Sequence, residues 1–417
     1  MTTLAILADD LTGAGDAAGA FASHGFATAI MFGETVGGEY GVVVRSTDTR
    51  DVDATTASDT NRRIARLMRY GGSSPRPVLL YKKIDSALRG HPRDELVAVM
   101  RALGETKTLV APALPGQART TVDSRQLIAG EPIERTGLGT AAGTSDLRAV
   151  FGGCDDVPVW PISLATVRAG GQAVASVIAE TERGILIADA ETDRDLETIA
   201  RGCVESGLRV MAGSAGLGRA LASVLPPSRS TARPSHPPPL GPVLVVAASQ
   251  HATTSAQVGV LEEADVPVVR PGQDLLDGVD LSNDAVVNAL GRCVSAGRSA
   301  VLTTAGCAPS AAGTIHVADT LADVVARVAR QHPVGSLVLT GGHVAAAVLE
   351  RLDATAIELG GEVQPAVPWG TLYATRVPPL RIITKAGSFG EPNALLRCLE
   401  RLQQEAVSDT WSRPSST

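Results

Sequence analysis

Short runs of hydrophobic residues alternate with longer amphipathic stretches along both halves of the chain. In the first half such runs predict strands at residues 4–7, 27–31, 42–44, 78–81, 108–110, 185–188 and 209–211. In the second half they predict strands at residues 243–246, 266–269, 300–302, 336–339 and 381–384. Continuous runs of Val, Leu and Ile are typical of strands that are buried on both faces of a parallel sheet. Helical patterns between strands, at 54–69 and 94–103, complete the βα alternation.

This alternation predicts an α/β protein made of two α/β domains with largely parallel sheets. A chain of 417 residues is long for a single domain. The segment PPSRSTARPSHPPPLGP, residues 226–242, contains 7 of the chain's 25 prolines and is typical of an extended linker. We therefore expect a first domain at 1–225 and a second at 243–417, with the active site in the cleft between the two domains.

Composition excludes several functional classes. The net charge of −7 gives no basic surface for nucleic acid, and 3% aromatic residues give few stacking platforms. Five scattered cysteines without CxxC spacing indicate reduced thiols rather than disulfides or zinc ligands. No apolar run approaches the roughly 20 residues of a membrane span, and two early aspartates argue against a signal peptide. We expect a cytoplasmic protein with small-molecule ligands, and a homodimer remains open.

Three carboxylates lie around the end of the first predicted strand, in the stretch LADDLTGAGD. Asp9 and Asp10 follow the strand directly, and Asp16 lies in the next predicted helix. Ligands of open α/β sheets bind beyond the carboxyl ends of the strands. Such carboxylates could coordinate Mg²⁺, bind substrate hydroxyls or act as a general base. Helix capping explains one aspartate, but three are more than capping requires.

Cationic and polar side chains follow the next predicted strands. They are Arg45, Ser46, Thr47, Asp48 and Arg50 after one strand, Lys82, Lys83, Asp85, Ser86 and Arg89 after another, and Arg119 in a later loop that leads into a predicted hairpin. The arginine fork suits a carboxylate or phosphate. The combination predicts a site for a small polyhydroxylated anion. For residues 45–50 a solvated turn with a local Arg–Asp pair is an equal alternative, and His91 before Pro92 is typical of a turn.

In the second half, polar turns that lead into helices follow three predicted strands, and two of these turns contain glycines. They occur in VVAASQHATTSAQV (245–258), LVLTGGHVAAAVLERL (337–352) and IITKAGSFGEPNALLRCL (382–399). Backbone N–H groups at such helix N-termini bind anions, and three of them beside Lys385 indicate a nucleotide. No GxxxxGK[ST] motif is present, so a P-loop kinase is disfavoured. His251 could bind phosphate or cap a helix. The glycines of the turn at 211–221 could approach a ligand, but close packing of the helix on the sheet is the favoured interpretation.

The motifs ADDLTGAGD, RSTDTR, YKKIDSALRG, PALPGQARTTVDSRQL, AGSAGL, TGGHVAAAVL, VPWGTL and KAGSFGEP occur in this order along nearly the whole chain. In them the chain resembles the four-carbon acid sugar kinases. The resemblance implies an N-terminal sugar-acid domain and a C-terminal ATP domain. It also implies Mg²⁺- and ATP-dependent phosphorylation of the terminal hydroxyl of threonate, erythronate or a 3-oxo-tetronate.

The resemblance also implies roles for residues at matching positions. Ser249, Gly341, Gly342, His343, Val344 and Gly387 would contact ATP, and Asp10, Arg45, Lys82, Asp85 and Arg89 would line the acid pocket. The residue patterns add Lys385 and Gly390 to the ATP site, and Asp9, Asp16, Ser46 and Arg119 to the acid site. Asp10 is the expected general base or hydroxyl orienter. Lys82 and Arg89 are expected to bind the carboxylate of the substrate or to offset developing charge. No metal ligands are identified. The chain departs from the usual family pattern at 247–251 and 343–344.

Two other functional classes remain open on the sequence. A lyase or isomerase would use the carboxylates on a sugar acid without ATP. A non-catalytic sensor of a sugar acid or nucleotide would bind without turnover, although binding alone does not need so many carboxylates. ATP consumption separates the kinase from both alternatives.

Overall fold

The computed structural model describes residues 4–33, 40–70, 79–138, 143–153, 157–227, 241–279 and 282–408. The chain forms two compact units, Met1–Ala232 and Arg233–Thr417. Most of the predicted linker, residues 228–240, lies outside the described residues, as does Val78 of the fourth predicted strand. Within the described ranges, no helix is long and apolar enough to cross a membrane.

The first unit is built on a parallel sheet. Its strands are β1 (Leu4–Ala8), β2 (Thr28–Met31), β3 (Val42–Ser46), β4 (Leu79–Lys83), β5 (Lys107–Ala111), β6 (Arg119–Val122), β7 (Arg125–Ile128), β8 (Glu131–Pro132), β9 (Val159–Ile162), β10 (Gly184–Ala188) and β11 (Val210–Gly213). The parallel strands lie in the order β2-β3-β1-β4-β11-β5-β10-β9, and β6-β7-β8 form a separate antiparallel sheet. The predicted strands and the predicted hairpin are confirmed.

Helices cover this sheet, and several of them begin at side-chain caps. They are α1 (Leu11–Ser23), α2 (Ala54–Tyr70), α3 (Pro92–Leu103), α4 (Leu147–Phe151), α5 (Leu164–Arg168), α6 (Gly171–Glu180), α7 (Asp193–Glu205) and α8 (Ala215–Val224). Asp10 caps α1, and Ser214 caps α8. A Cβ at Gly216 would lie 2.6 Å from the Ala113 carbonyl oxygen, so the glycines of 211–221 serve close packing, as the sequence favoured.

The second unit is built on a mixed sheet. Its elements are β12 (Val243–Ala247), α9 (Ala252–Glu263), β13 (Val268–Val269), α10 (Gln273–Leu276), α11 (Asp284–Ser295), β14 (Ala300–Thr303), α12 (Gly313–Gln331), β15 (Ser336–Thr340), α13 (Gly342–Leu352), β16 (Ala354–Gln364), β17 (Val367–Ala374), β18 (Leu380–Lys385) and α14 (Ala394–Ser408). The order is β13-β14-β12-β15-β18-β17-β16, with β16 and β17 antiparallel. The α/β class with largely parallel sheets is confirmed, although the sequence patterns did not predict the β16–β17 hairpin.

Buried strands anchor both units. All five residues of β1 and of β12 are buried, and α9 and α14 cover β12 through Leu261, Leu395 and Cys398. Full burial of one such aliphatic side chain stabilises a fold by about 1.5–3 kcal/mol. β1 and β12 are apolar throughout, whereas β3, β4 and β18 end in charged or polar residues, so the polar chemistry of each unit gathers at the carboxyl ends of the strands and in the turns that follow.

Candidate functional site

Three neighbouring strands of the first unit end at one level. Ala8 of β1 pairs with Ser46 of β3 and with Lys83 of β4. The turns that follow β1, β3 and β4 therefore start side by side at the carboxyl edge of the sheet, where open α/β sheets bind their ligands. The predicted polar stretches are brought together at this edge.

Asp9, Asp10 and Asp85, which we call the aspartate cluster, meet around the Arg50 guanidinium. Arg50 donates to both carboxylate oxygens of Asp9, from Nε and Nη2, at 2.9 Å each. Its Nη1 donates to Asp10 Oδ2, and its Nη2 lies 3.9 Å from Asp85 Oδ1. Burial alone would lower the pKa of Arg50, but the charges of Asp9 and Asp10 raise it above its usual value. The cluster is thus held by a permanently charged cation.

Asp10 is the most accessible carboxylate of the cluster. Its side chain is 20% exposed, against 3% for Asp9. Oδ1 accepts from the Gly13 N–H at 2.7 Å, which caps α1, and Oδ2 accepts from the Thr12 hydroxyl at 2.6 Å. The cap fixes the carboxylate at the N-terminus of α1, so Asp10 is oriented before any ligand arrives.

Asp85 is bound by Arg89 in a two-point ion pair. Arg89 Nη2 lies 2.8 Å from Oδ1 and Arg89 Nε lies 3.0 Å from Oδ2, while the Ala87 N–H donates to Oδ2 at 3.0 Å. Burial would raise the pKa of Asp85, but the hydrogen bond and charge of Arg89, with Arg50 and Lys83, hold it well below its usual value. Asp85 is therefore a fixed anion that orients Arg89, whose own side chain is half exposed.

The hairpin brings a third arginine to this edge. Arg119, the first residue of β6, donates from Nη1 to the Ser86 hydroxyl. Burial lowers the pKa of Arg119, and the neighbouring Arg89 contributes in the same direction. At the other end of the hairpin, Asp189 accepts from the backbone N–H groups of Asp123 and Ser124 at 3.0 and 2.9 Å. Arg89 on Asp85 and Arg119 on the next residue, Ser86, thus bring two neighbouring cations to this edge.

The two adjacent lysines of β4 point to opposite faces of the sheet, because side chains alternate along a strand. Lys82 is fully buried, and its Nζ lies 2.7 Å from Glu95 Oε2 on α3. Lys83 faces α1: a Cβ built on Gly13 would lie 3.2 Å from Lys83 Nζ and 2.6 Å from Asp10 Oδ1. Lys83, and not Lys82, adjoins the Asp10 carboxylate.

Several other predicted site residues lie outside the aspartate cluster. The buried Arg45 donates to the Gly33 carbonyl. The Ser46 hydroxyl donates to Asp48 at 2.7 Å. Asp16 lies 3.4 Å from Arg219, where α1 meets α8.

Arg50 is the central residue that sequence reasoning ranked too low. RSTDTR contains two arginines, Arg45 and Arg50. The family resemblance places Arg45, the one nearer the strand, in the acid pocket. The turn folds back so that the Thr49 and Arg50 N–H groups both reach the Asp9 carbonyl, at 2.9 and 3.3 Å. His91 Nε2 donates to the Val52 carbonyl, in agreement with the turn role favoured for it.

In the second unit the ends of β12, β15 and β18 also meet. Ala247 pairs with Thr340, and Thr340 pairs with Lys385. Gly341 follows with φ of +101°, a conformation that glycine adopts without strain, and its N–H donates to the Lys385 carbonyl at 3.0 Å. α13 starts at Gly342, so its N-terminus opens at this edge with the exposed His343 and the buried Val344 in the first turn.

Ser249 and Gly387 are in close contact across this edge. A Cβ at Gly387 would collide with Ser249 Oγ, and the Gly387 carbonyl accepts from Thr254 Oγ1 at 2.8 Å. His251 caps α9, with Nδ1 accepting from the Thr253 N–H at 3.3 Å, which is the capping role considered for it. The predicted nucleotide residues Ser249, Gly341, Gly342 and Gly387 are therefore brought together.

Lys385 fixes the turn that carries Gly387. Its Nζ donates to the Ala386 and Phe389 carbonyls at 2.8 Å each, and burial lowers its pKa to about 8. Gly390 closes the turn with φ of +91°, and its carbonyl accepts from Gln257 Nε2 at 3.2 Å. The turn is thus held from both sides by side-chain donors.

The three carboxylates of the aspartate cluster do not suit a divalent cation. Asp9 and Asp85 each have both oxygens engaged by arginine, and Asp10 has both oxygens engaged by donors. Over the described ranges, no group of three or more His, Cys, Asp or Glu side chains could hold a metal ion. The aspartate cluster is therefore bound by arginine, backbone and hydroxyl donors rather than arranged as a cation site.

Comparison with known proteins agrees with this two-part arrangement. Residues 4–221 match the sugar-binding N-terminal domain family, and residues 244–395 match the nucleotide-binding C-terminal domain family. The chain is 30% identical to the D-threonate kinase of Salmonella typhimurium, over 97% of this chain and 99% of that protein. It is also 30% identical to the D-erythronate kinase of Heliobacterium modesticaldum, over 99% of each.

A solved structure shares the fold. A protein from Salmonella typhimurium LT2 aligns with a TM-score of 0.80 at 21% identity, covering 97% of this chain and 100% of that chain. With two domain families matched in order over most of its length, and relatives at 30% identity over nearly all of it, the chain belongs to the four-carbon acid sugar kinase family.

Proposed function

We propose that the protein transfers the γ-phosphoryl group of Mg·ATP to the terminal hydroxyl of a four-carbon sugar acid. The observation that carries the proposal is the aspartate cluster beside two adjacent arginines, Arg89 and Arg119, at the carboxyl edge of the first unit's sheet. Carboxylates bind hydroxyls, and arginine forks bind a carboxylate. A small molecule with both groups, a sugar acid, matches this arrangement.

The acid group is assigned to the Arg89–Arg119 pair. Arg89 is oriented by Asp85 and is half exposed, while Arg119 is held by Ser86. An anion placed between two neighbouring guanidinium groups relieves their mutual repulsion. Lys82 has no exposed surface, so we assign it to the support of the site and Lys83 to the substrate side near α1.

Asp10 is assigned to the reacting hydroxyl. Its carboxylate is exposed enough to be reached and is fixed by the α1 cap, which satisfies the geometric requirement for a base or a hydroxyl orienter. In phosphoryl transfer, positioning and charge neutralisation supply most of the rate enhancement, so orientation of the hydroxyl matters more than strong basicity. Lys83 beside Asp10 would offset negative charge that develops during transfer.

The nucleotide is assigned to the second unit. The N-terminus of α13, the contact of Ser249 with Gly387 and the turn fixed by Lys385 form a cradle of backbone N–H groups suited to phosphates. Bound Mg²⁺ would neutralise phosphate charge during transfer. That the two ligands meet in a cleft between the domains stays a prediction from the sequence.

Replacing Arg119 should weaken binding of the acid without affecting the nucleotide. A charge-assisted hydrogen bond contributes about 1.5–3 kcal/mol, so Arg119→Met should raise KM for the sugar acid roughly 10- to 100-fold. KM for ATP should stay within about twofold. Arg125→Met is the matched control, because Arg125 lies on the same hairpin and is exposed. Equal acid KM values for the two variants would contradict the assignment of Arg119.

The affinity for ATP should fall with rising pH because of Lys385. Burial lowers the pKa of Lys385 to about 8, so the ammonium is charged below pH 8 and neutral above it. A phosphate ligand favours the charged form, and KM for ATP should therefore rise severalfold between pH 7 and pH 9. Steady-state kinetics on the wild-type protein test this, with KM for the acid as the internal control. A flat KM for ATP over this range would exclude a role for the Lys385 charge.

Coupled ADP release tests the function itself. The assay supplies Mg·ATP with threonate, erythronate and 3-oxo-tetronate, and with five- and six-carbon acids as controls. The relatives at 30% identity are named for two different acids, so overall identity does not select the substrate. ADP release that depends on one four-carbon acid supports the proposal. Conversion of a sugar acid without ATP would favour the lyase or isomerase, and binding without conversion would favour a sensor.

A further inference from the structure

A buried ionic pair lies behind the aspartate cluster. Lys82 Nζ on β4 is 2.7 Å from Glu95 Oε2 on α3, and the two side chains are 0% and 1% exposed. Well-packed apolar residues often stabilise a protein as well as a buried ion pair does, so stability alone is a weak reason for this pair. Glu95 also lies in the first turn of α3, where a carboxylate is favoured but burial is not required.

The second carboxylate oxygen of Glu95 binds the turn after β3. The Thr49 hydroxyl donates to Glu95 Oε1, accepts from Asn61 Nδ2 at 3.3 Å and lies 2.7 Å from Thr47 Oγ1. The single Thr47 hydroxyl proton can go either to Thr49 Oγ1 or to the Ala8 carbonyl, which lies 3.0 Å away. Glu95 is thus the anionic end of a buried set of polar contacts that reaches the end of β1.

The turn bound in this way carries Arg50. Thr49 and Arg50 both donate their backbone N–H to the Asp9 carbonyl, and Asp48 just before them has φ of +49°. Arg50 follows Thr49 directly, so a shift of Thr49 moves the base of the Arg50 side chain. The guanidinium must keep its position to bind Asp9 at two points.

We propose that Glu95, fixed by its ion pair with Lys82, is a positioning residue that holds Thr49 and thereby places Arg50 in the aspartate cluster. An ionised carboxylate only accepts hydrogen bonds, so the Thr49 hydroxyl has a single useful orientation. A charge-assisted hydrogen bond is also stronger than a neutral one. The kinetic consequences rest on the proposed kinase function, whereas the structural consequence does not.

Thr49 gives the first matched comparison. Thr49→Val removes the hydroxyl with little change in shape, and Thr49→Ser keeps it. We expect Thr49→Val to lower kcat at least about tenfold with KM for ATP unchanged, while Thr49→Ser stays within about threefold of wild type. Amide hydrogen exchange of residues 47–50 should accelerate in Thr49→Val and not in Thr49→Ser.

Two double variants separate positioning from simple stability. Lys82→Met with Glu95→Gln removes both charges but keeps an acceptor for Thr49. Lys82→Met with Glu95→Leu removes the charges and the acceptor. Both avoid an unpaired buried charge, so both should fold. We expect the Gln variant to keep slow exchange at 47–50 and most of kcat, and the Leu variant to lose both while thermal unfolding shows it folded.

The outcomes are distinct for the two proposals. Equal exchange at 47–50 in both members of each pair would overturn the positioning role, whether or not any sugar acid is phosphorylated. Wild-type protein without kinase activity, but with the expected exchange difference, would overturn the function and leave the positioning of Arg50 supported. Equal loss of acid binding in both double variants would contradict the positioning role. It would indicate that Lys82 contacts the substrate directly.

Discussion

Asp10→Asn should lower kcat by about 10²- to 10⁴-fold, the range that loss of a positioned acid–base group produces. Asparagine still accepts from the Gly13 N–H and caps α1, so the helix start is kept. What is lost is the anionic oxygen that orients the reacting hydroxyl or takes its proton. KM for ATP should stay within about twofold, because the nucleotide is assigned to the other unit.

Asp53→Asn is the matched control for this substitution. Asp53 is an exposed aspartate whose Oδ1 accepts from the Thr55 and Thr56 N–H groups at 3.0 Å each, so it plays the same local role at the start of α2. Its replacement should leave kcat unchanged. Steady-state kinetics on both variants give the answer, and wild-type turnover in Asp10→Asn would remove Asp10 from the mechanism.

Arg50→Met should destabilise the protein by about 3–5 kcal/mol, the usual cost of leaving buried charges without their partner. Asp9 would lose two hydrogen bonds, Asp10 one, and Asp85 a nearby positive charge. Methionine fills a similar volume, so the loss reports charge rather than a cavity. Denaturant titration of the full-length protein at pH 7 measures it.

The pH dependence of this loss has a definite sign. In wild type the Arg89 and Arg50 charges hold the pKa of Asp85 below its usual value despite burial, so its contribution is present at neutral pH and is lost only in strong acid. Without Arg50 one of the positive charges that lower the pKa of Asp85 is lost, so this pKa rises and protonation of Asp85 relieves repulsion in the cluster. The deficit of Arg50→Met should therefore shrink between pH 7 and pH 5. Arg62→Met, at an exposed pair with Asp59, should change stability by less than about 1 kcal/mol at either pH.

The parallel strands other than β9, and the turns after them, were predictable because both depend on local pattern. Apolar runs bounded by polar turns are the signature of buried strands, and every predicted strand has a counterpart in the structure. The β16–β17 hairpin was not predicted, since Gly360, Gly361 and Pro368 within it are typical of loops. Trp369 covers the Gly360 position, where a Cβ would collide with its ring, so tertiary packing rather than propensity explains the glycine there.

The composition of the site was predictable but its internal geometry was not. Adjacent lysines on a strand must face opposite sides, yet nothing in KKID says which side holds Glu95, thirteen residues after Lys82 in the sequence. The choice between Arg45 and Arg50 depends on a turn with Asp48 at positive φ, which the residue types permit but do not dictate. Arg119 was found because its loop contains the Pro and Gly signals of a hairpin.

The product of the reaction is the most direct test of the central claim. Wild-type protein is incubated with Mg·ATP and the four-carbon acid that gives ADP, and the mixture is observed by phosphorus and proton NMR. The account predicts a new phosphomonoester whose phosphorus couples to the methylene protons of the terminal carbon. A phosphorus coupled to a methine proton, inorganic phosphate alone, or unchanged ATP with every four-carbon acid would contradict it.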